Sequence, residues 1–189
     1  MVRPGREKLS GVVEVDETYV GGPKSGKRGR GAGGKALVMI AVEDKDELGF
    51  GRIRLGRVED ASGDSLTRFI EDNIEVGSTV RTDGWKGYNG LSEKCYEHVV
   101  QFETGEVGED MLPLVHRIAS LMKRWLMGTY QGAVREQHLD YYLDEYTFRF
   151  NRRTSASRGK LFYRLVQQSM LVDPVPAKQI VGGAETQTL

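Results

Sequence analysis

The chain has 189 residues, 27 basic and 27 acidic, of which 39% are hydrophobic and 29% charged, the balance of a soluble globular protein with material for one substantial core. The zero net charge gives no overall signal for nucleic acid, and a single cysteine, Cys95, excludes an internal disulfide framework or a cysteine-rich metal site. No apolar run approaches the roughly 20 residues of a membrane span, and the start, Met1 to Arg6, has no apolar signal-peptide core, so a soluble, cytoplasmic protein is expected.

Residues 12–20 read as the first strand, and they place Asp16 where a bland strand would carry valine. Side chains alternate across a strand, so Glu14, Asp16 and Thr18 point one way and Val13, Val15, Glu17 and Tyr19 the other. Carboxylates in such company lose hydration, a loss that only a cation or hydrogen bonds offset. Taken alone, the segment fits an edge strand with a wet acidic face as well as it fits a metal site. A glycine-rich stretch follows over residues 21–35, with five basic residues and no acid between Lys24 and Lys35. It reads as a flexible loop, and its one-sided charge suggests a basic finger for phosphate, with Lys27, Arg28 and Arg30 among its basic residues.

Residues 36–43 form a nearly continuous apolar run, as in a central strand, and residues 50–58 alternate as its hairpin partner across a polar turn. Ser62 or Asp64 caps a helix over 65–73, with Leu66, Phe69 and Ile70 on one face. Residues 79–82 are a short strand leading to a second carboxylate, Asp83, whose neighbour Gly84 also suits an ordinary turn. A short helix over 85–91, a strand near 96–100 and an irregular acidic segment over 101–110 come next. From Leu112 to Met127 the apolar period becomes helical, with Gly128 as the expected stop, and a second amphipathic helix spans about 135–150. Between Thr147 and Arg164 lie six basic residues and no acid, among them Arg149, Arg152 and Arg153. His98 reads as a strand residue and His138 as helix surface.

This order is that of an α/β protein with a ribonuclease-H-like mixed five-stranded sheet and helices on both faces. In that layout the first and fourth strands are neighbours, which brings Asp16 to Asp83. The expected organisation is a lead-in over 1–11, a catalytic domain over 12–165 and a loose tail over 166–189. On the helix after the fifth strand, His116, Ser120 and Lys123 form a polar stripe with Arg124 at its margin. Read locally, this is also what a solvated helix face with a surface histidine looks like.

Four stretches in order carry a family resemblance: Val13 to Gly22, Thr82 to Tyr88, His116 to Trp125, and Leu143 to Arg153. With them the chain resembles the DDE transposases of bacterial insertion sequences, in the ISXO-like branch. The resemblance implies catalytic and metal-binding roles for Asp16 and Asp83. The family's third position, usually an acid seven residues before a lysine, falls on His116 with Lys123 as that lysine. Histidine is a softer ligand than a carboxylate and suits magnesium less well. Glu109 and Asp110 are nearby acids but break the spacing to Lys123. Relatives usually carry a zinc-ribbon region ahead of the catalytic domain, so the chain is expected to be truncated relative to them.

What the resemblance implies is a polynucleotidyl transferase using two Mg2+ or Mn2+ ions, held by Asp16, Asp83 and His116, to cut element ends and join them to target DNA. Double-stranded DNA is the expected partner, contacted by Lys123 and Arg124, by Lys27, Arg28 and Arg30, and by Arg149, Arg152 and Arg153. A homo-oligomer assembled on DNA in the nucleoid, without membrane, completes the expectation. Trp85 and Tyr88 either stack on a base at the cleaved end or pack in the core. The rival reading is a catalytically inactive truncated remnant that binds DNA or a full-length partner; a nuclease that cuts without strand transfer is a third.

Overall fold

The computed structural model describes residues 5–21, 35–101, 110–131, 134 and 136–182. Five strands, β1 (Val12–Val20), β2 (Ala36–Asp44), β3 (Phe50–Val58), β4 (Thr79–Thr82) and β5 (Glu97–Val100), form one sheet in the order β3-β2-β1-β4-β5. The β1–β2 and β2–β3 pairs are antiparallel, while β1–β4 and β4–β5 are parallel. Among the described residues the α-helices are α1 (Gly63–Asn73), α2 (Pro113–Tyr130), α3 (Leu139–Phe150), α4 (Gly159–Ser169) and α5 (Ala177–Gly182). The mixed five-stranded sheet expected from the sequence is the one observed.

The unbroken apolar run of β2 has its physical reason here, because Ala36 to Glu43 are all buried between the two layers. On one side Val38, Ile40, Val42, Ile53 and Leu55 pack against Val115, Ile118, Met122 and Leu126 of α2 and Leu139, Leu143 and Tyr146 of α3. On the other, Val13, Val15, Met39, Ala41 and Val80 pack against Leu66, Phe69 and Ile70 of α1 together with Tyr88 and Leu91. Burying each such aliphatic side chain contributes about 1.5–3 kcal/mol. Ser62 caps α1, its hydroxyl accepting from Ser65 N at 3.3 Å. Gly56 lets α1 sit close on β3, since a Cβ there would meet the Phe69 ring at 2.8 Å.

Several boundaries differ from the sequence expectation. Gly128 does not stop α2, which continues to Tyr130 and ends where Gln131 turns left-handed at φ 51°. Packing carries the helix past the glycine: Trp125 lies edge-on to Tyr130 at 5.3 Å and tilted against Tyr146 at 5.4 Å. Residues 85–91 hold a 3-10 turn, Lys86–Tyr88, in place of a helix, and a second such turn follows at Ser92–Lys94. A further 3-10 turn, Glu136–His138, precedes α3, which starts at Leu139. Helices α4 and α5 had no counterpart in the sequence reading, and α4 runs across residues 165 and 166, where that reading placed the change from domain to tail. Lys27, Arg28, Arg30, Glu109 and residues 183–189 lie outside the described residues.

Candidate active site

The register of the parallel β1–β4 pair builds the site. Val12 faces Thr79, Val13 faces Val80 and Glu14 faces Arg81. Continued by two residues, that register carries Asp16 toward Asp83, near enough for the Asp83 charge to act on the Asp16 carboxyl. Asp83 stands just beyond the end of β4, where its Oδ1 accepts from Trp85 N at 2.9 Å and Gly84, at φ 76°, reverses the chain. Only a residue tolerant of positive φ serves there without strain.

Helix α2 lies over the face of β1 that carries Asp16 and brings its polar stripe there. His116 Nε2 is 3.5 Å from Asp16 Oδ2, and the other ring nitrogen, Nδ1, is 2.5 Å from Asp110 Oδ1. Two helical turns later, Lys123 Nζ donates to Thr18 Oγ1 at 2.6 Å. The third alternate residue of β1, Glu14, is buried: its Oε2 accepts from the backbone N–H groups of Leu114 at 2.9 Å and Val115 at 3.1 Å. The wet acidic face allowed by the sequence is therefore corrected. Glu14 is 2% exposed, and its carboxylate is satisfied by the start of a helix.

The electrostatics single out Asp16. Burial pushes its carboxyl up to about 6, with the Glu17 and Asp83 carboxylates adding to the rise and the Glu17 backbone N–H and His116 opposing it. Burial likewise lowers Lys123, helped by the nearby Lys35 charge and opposed by Asp16. Beneath the pair, the buried Tyr88 hydroxyl donates to Glu17 Oε2 at 2.9 Å. Burial first, and the surrounding carboxylates next, hold that phenol well above its usual range.

Among the described residues no three His, Cys, Asp or Glu side chains already converge as a metal cage. The donor chemistry nevertheless fits a divalent cation. Asp16 is a carboxyl raised first by burial and then by neighbouring negative charge, the condition a bound cation relieves. His116 presents one ring nitrogen toward Asp16 while a carboxylate engages the other, the arrangement that orients an imidazole ligand.

Asp16, Asp83, His116 and Lys123 are thus brought together. Arg124 is exposed and turned toward α3, where its charge acts on Tyr146. Of the basic residues expected at DNA, Arg149, Arg152 and Arg153 have partners in the fold. Arg149 pairs with Glu145 at 2.7 Å, and Arg152 lies 3.9 Å over the Phe148 ring. Arg153 lies 4.1 Å over Phe150 and donates to the Phe50 carbonyl. Tyr88 is core, and Trp85 is half-buried with its indole N–H donating to Ala61 O at 3.1 Å. His98, on β5, lies 2.8 Å from the Thr82 hydroxyl, beside Asp83.

Sequence reasoning missed Glu14 as a helix cap and set Asp110 aside. The first had a readable signal: α2 starts Leu112-Pro113-Leu114 with no Ser, Thr, Asp or Asn of its own at the cap, so its first amides need an acceptor from elsewhere. Asp110 had none, because its approach to His116 depends on how the chain enters the helix.

No curated protein sequence matches this chain. In solved structures it is similar to the catalytic core domain of BIV integrase, at 14% identity and TM-score 0.50, covering 86% of this chain and 97% of that one. It is also similar to a chain of the simian T-cell lymphotropic virus intasome in complex with PP2A regulatory subunit B56 gamma. There the identity is 12% and the TM-score 0.50, covering 93% of this chain and 62% of that one. These likenesses establish the ribonuclease-H-like fold. The family model of the ISXO2-like transposase domain matches residues 8–151, a span that contains β1 through α3 with both aspartates and the α2 stripe, and the chain belongs to that family as a transposase catalytic domain of the polynucleotidyl transferase type.

Proposed function

We propose that Asp16, Asp83 and His116 together form the catalytic metal centre, holding two Mg2+ or Mn2+ ions, and that the chain cuts and joins DNA ends there. The observation that carries this reading is the alignment of Asp16 with Asp83 across the β1–β4 register, with His116 Nε2 3.5 Å from Asp16 Oδ2. Divalent ions, which the family generally uses, supply Lewis-acid stabilisation of entering and leaving phosphate oxygens. The protein's part is to hold the donors. Asp83 is fixed by the Asx turn to Trp85 N, and Asp110 orients the His116 ring. Lys123, pinned by Thr18, offers its ammonium to a phosphate of the bound strand.

The DNA partner is a duplex end together with target DNA, met by Lys123, Arg124 and the exposed Arg149, with Lys27, Arg28, Arg30, Arg152 and Arg153 as further phosphate contacts. We place the catalytic unit in residues 12–165 and the protein on DNA in the cytoplasm; among the described residues no helix is long and apolar enough to cross a membrane. A second copy of the chain is the proposed oligomeric partner. Helix α4 and the segment after it support this, leaving Phe162 74% and Met170 81% exposed beside Tyr163, Leu171 and Val175, an apolar surface of the kind that marks protein contacts.

The test is joining of a pre-cut duplex end to plasmid DNA with Mg2+ or Mn2+, comparing wild type with Asp83→Ala and His116→Ala. Joining that is lost in both variants supports the centre. Wild-type protein that binds DNA but neither cuts nor joins it contradicts the reading and favours an inactive, DNA-binding remnant.

A further inference from the structure

We infer that Glu14 is a positioning residue for the transposition chemistry: buried beneath the site, it anchors the first turn of α2 and thereby sets where His116 and Lys123 stand relative to Asp16. The inference rests on the proposed roles of His116 and Lys123.

The argument begins with an unmet need. Helix α2 has 18 residues, Pro113 at its start, no acid in its first turn and no side-chain cap from Leu112. Its first amides point toward the sheet with no acceptor of their own. Glu14 supplies it from 100 residues away in sequence, one carboxylate oxygen accepting from both Leu114 N and Val115 N. The complementary need is as strong, because a carboxylate 2% exposed persists in a core only with hydrogen bonds and positive potential around it, and a helix N-terminus provides both.

The consequence for the site follows from strand geometry. Glu14, Asp16 and Thr18 are successive residues on one face of β1, and each touches α2: Glu14 at the amides of 114 and 115, Asp16 near His116, Thr18 at Lys123. Glu14 is the only one of the three that grips the α2 backbone. His116 directly follows the gripped pair, so a shift or fraying of that turn moves its ring away from Asp16. Displacements of about 1 Å at a catalytic group cost of order 100-fold in rate.

Two readouts test the proposal, one free of catalysis. In amide hydrogen exchange without metal or DNA, Glu14→Ala is expected to speed exchange at residues 114–118 by tenfold or more, leaving the β1–β2 amides as in wild type. Glu14→Gln, whose amide oxygen can still accept, is expected to restore most of the protection. In joining assays, Glu14→Ala should lower the rate at saturating DNA by tens-fold, with KM for DNA within twofold of wild type, and Glu14→Gln should recover most of that rate. Unchanged exchange at 114–118, or a Glu14→Gln protein as slow in joining as Glu14→Ala, would overturn the proposal. A wild type inactive in joining refutes the metal-centre reading instead, and the exchange measurement still decides whether Glu14 fixes α2.

Discussion

The two faces of β1 are built from the same nine residues and behave oppositely. Toward α1, Val13 and Val15 disappear into a closed apolar layer with Val80, Leu66 and Ile70. Toward α2, Glu14, Asp16 and Thr18 meet backbone amides, an imidazole and an ammonium. The first face supplies stability; the second uses it, since Asp16 stands among like charges with a raised affinity for protons. A strand that is anchored firmly on one side can hold unfavourable electrostatics on the other.

The comparison breaks most sharply at the carboxylates. Asp83→Ala is expected to reduce joining by about 1000-fold or more, the scale on which loss of a centrally placed catalytic group is felt. It should leave the folded state intact, because Asp83 lies beyond the end of β4; rates and thermal melts of the same preparation check both statements. Next in size is a cavity between α2 and the sheet. Ile118→Ala should cost about 2–5 kcal/mol in chemical denaturation, since Ile118 is fully buried under β2.

A third expectation sharpens the contrast through pH. Asp16 has a folded-state value of about 6 against 3.8 for the free side chain, so the folded form binds the proton more tightly than the unfolded form. Its contribution therefore favours folding at low pH and is lost as pH rises from about 4 to about 6, by up to about 3 kcal/mol. Asp16→Asn removes the charge, so it should flatten that part of the stability–pH profile and leave the protein more stable at pH 7, while abolishing joining. An Asp16→Asn protein that melts below wild type at pH 7 would speak against a carboxylate strained by burial and like charge. The smallest effect belongs to the exposed Arg149–Glu145 pair, one turn apart on α3. Arg149→Ala should change stability by no more than about 0.5 kcal/mol, and any larger loss of DNA affinity in low salt would mark a phosphate contact.

The sheet was legible because its signals are local. The apolar run of β2, the alternation of β3 and the spacing of Leu66, Phe69 and Ile70 each name an element without knowledge of the rest. The pairing of Asp16 with Asp83 needed only the fold's strand order. Helix ends were less legible, since Gly128 carries a stop signal that Trp125, Tyr130 and Tyr146 override through tertiary packing. Helix α4 was obscured for a related reason: its apolar face meets little of the described chain, and its basic residues dominated the reading. Glu14 and Asp110 act across the fold or through the approach to α2, so local spacing revealed neither role.

Calorimetric Mn2+ titration of wild type, Asp16→Asn and His116→Ala, without DNA, tests the central claim most directly. If Asp16 and His116 are donors to one centre, wild type binds Mn2+, Asp16→Asn abolishes binding, and His116→Ala weakens it by tens-fold. Equal Mn2+ affinity in all three proteins would contradict the account and place the metal elsewhere.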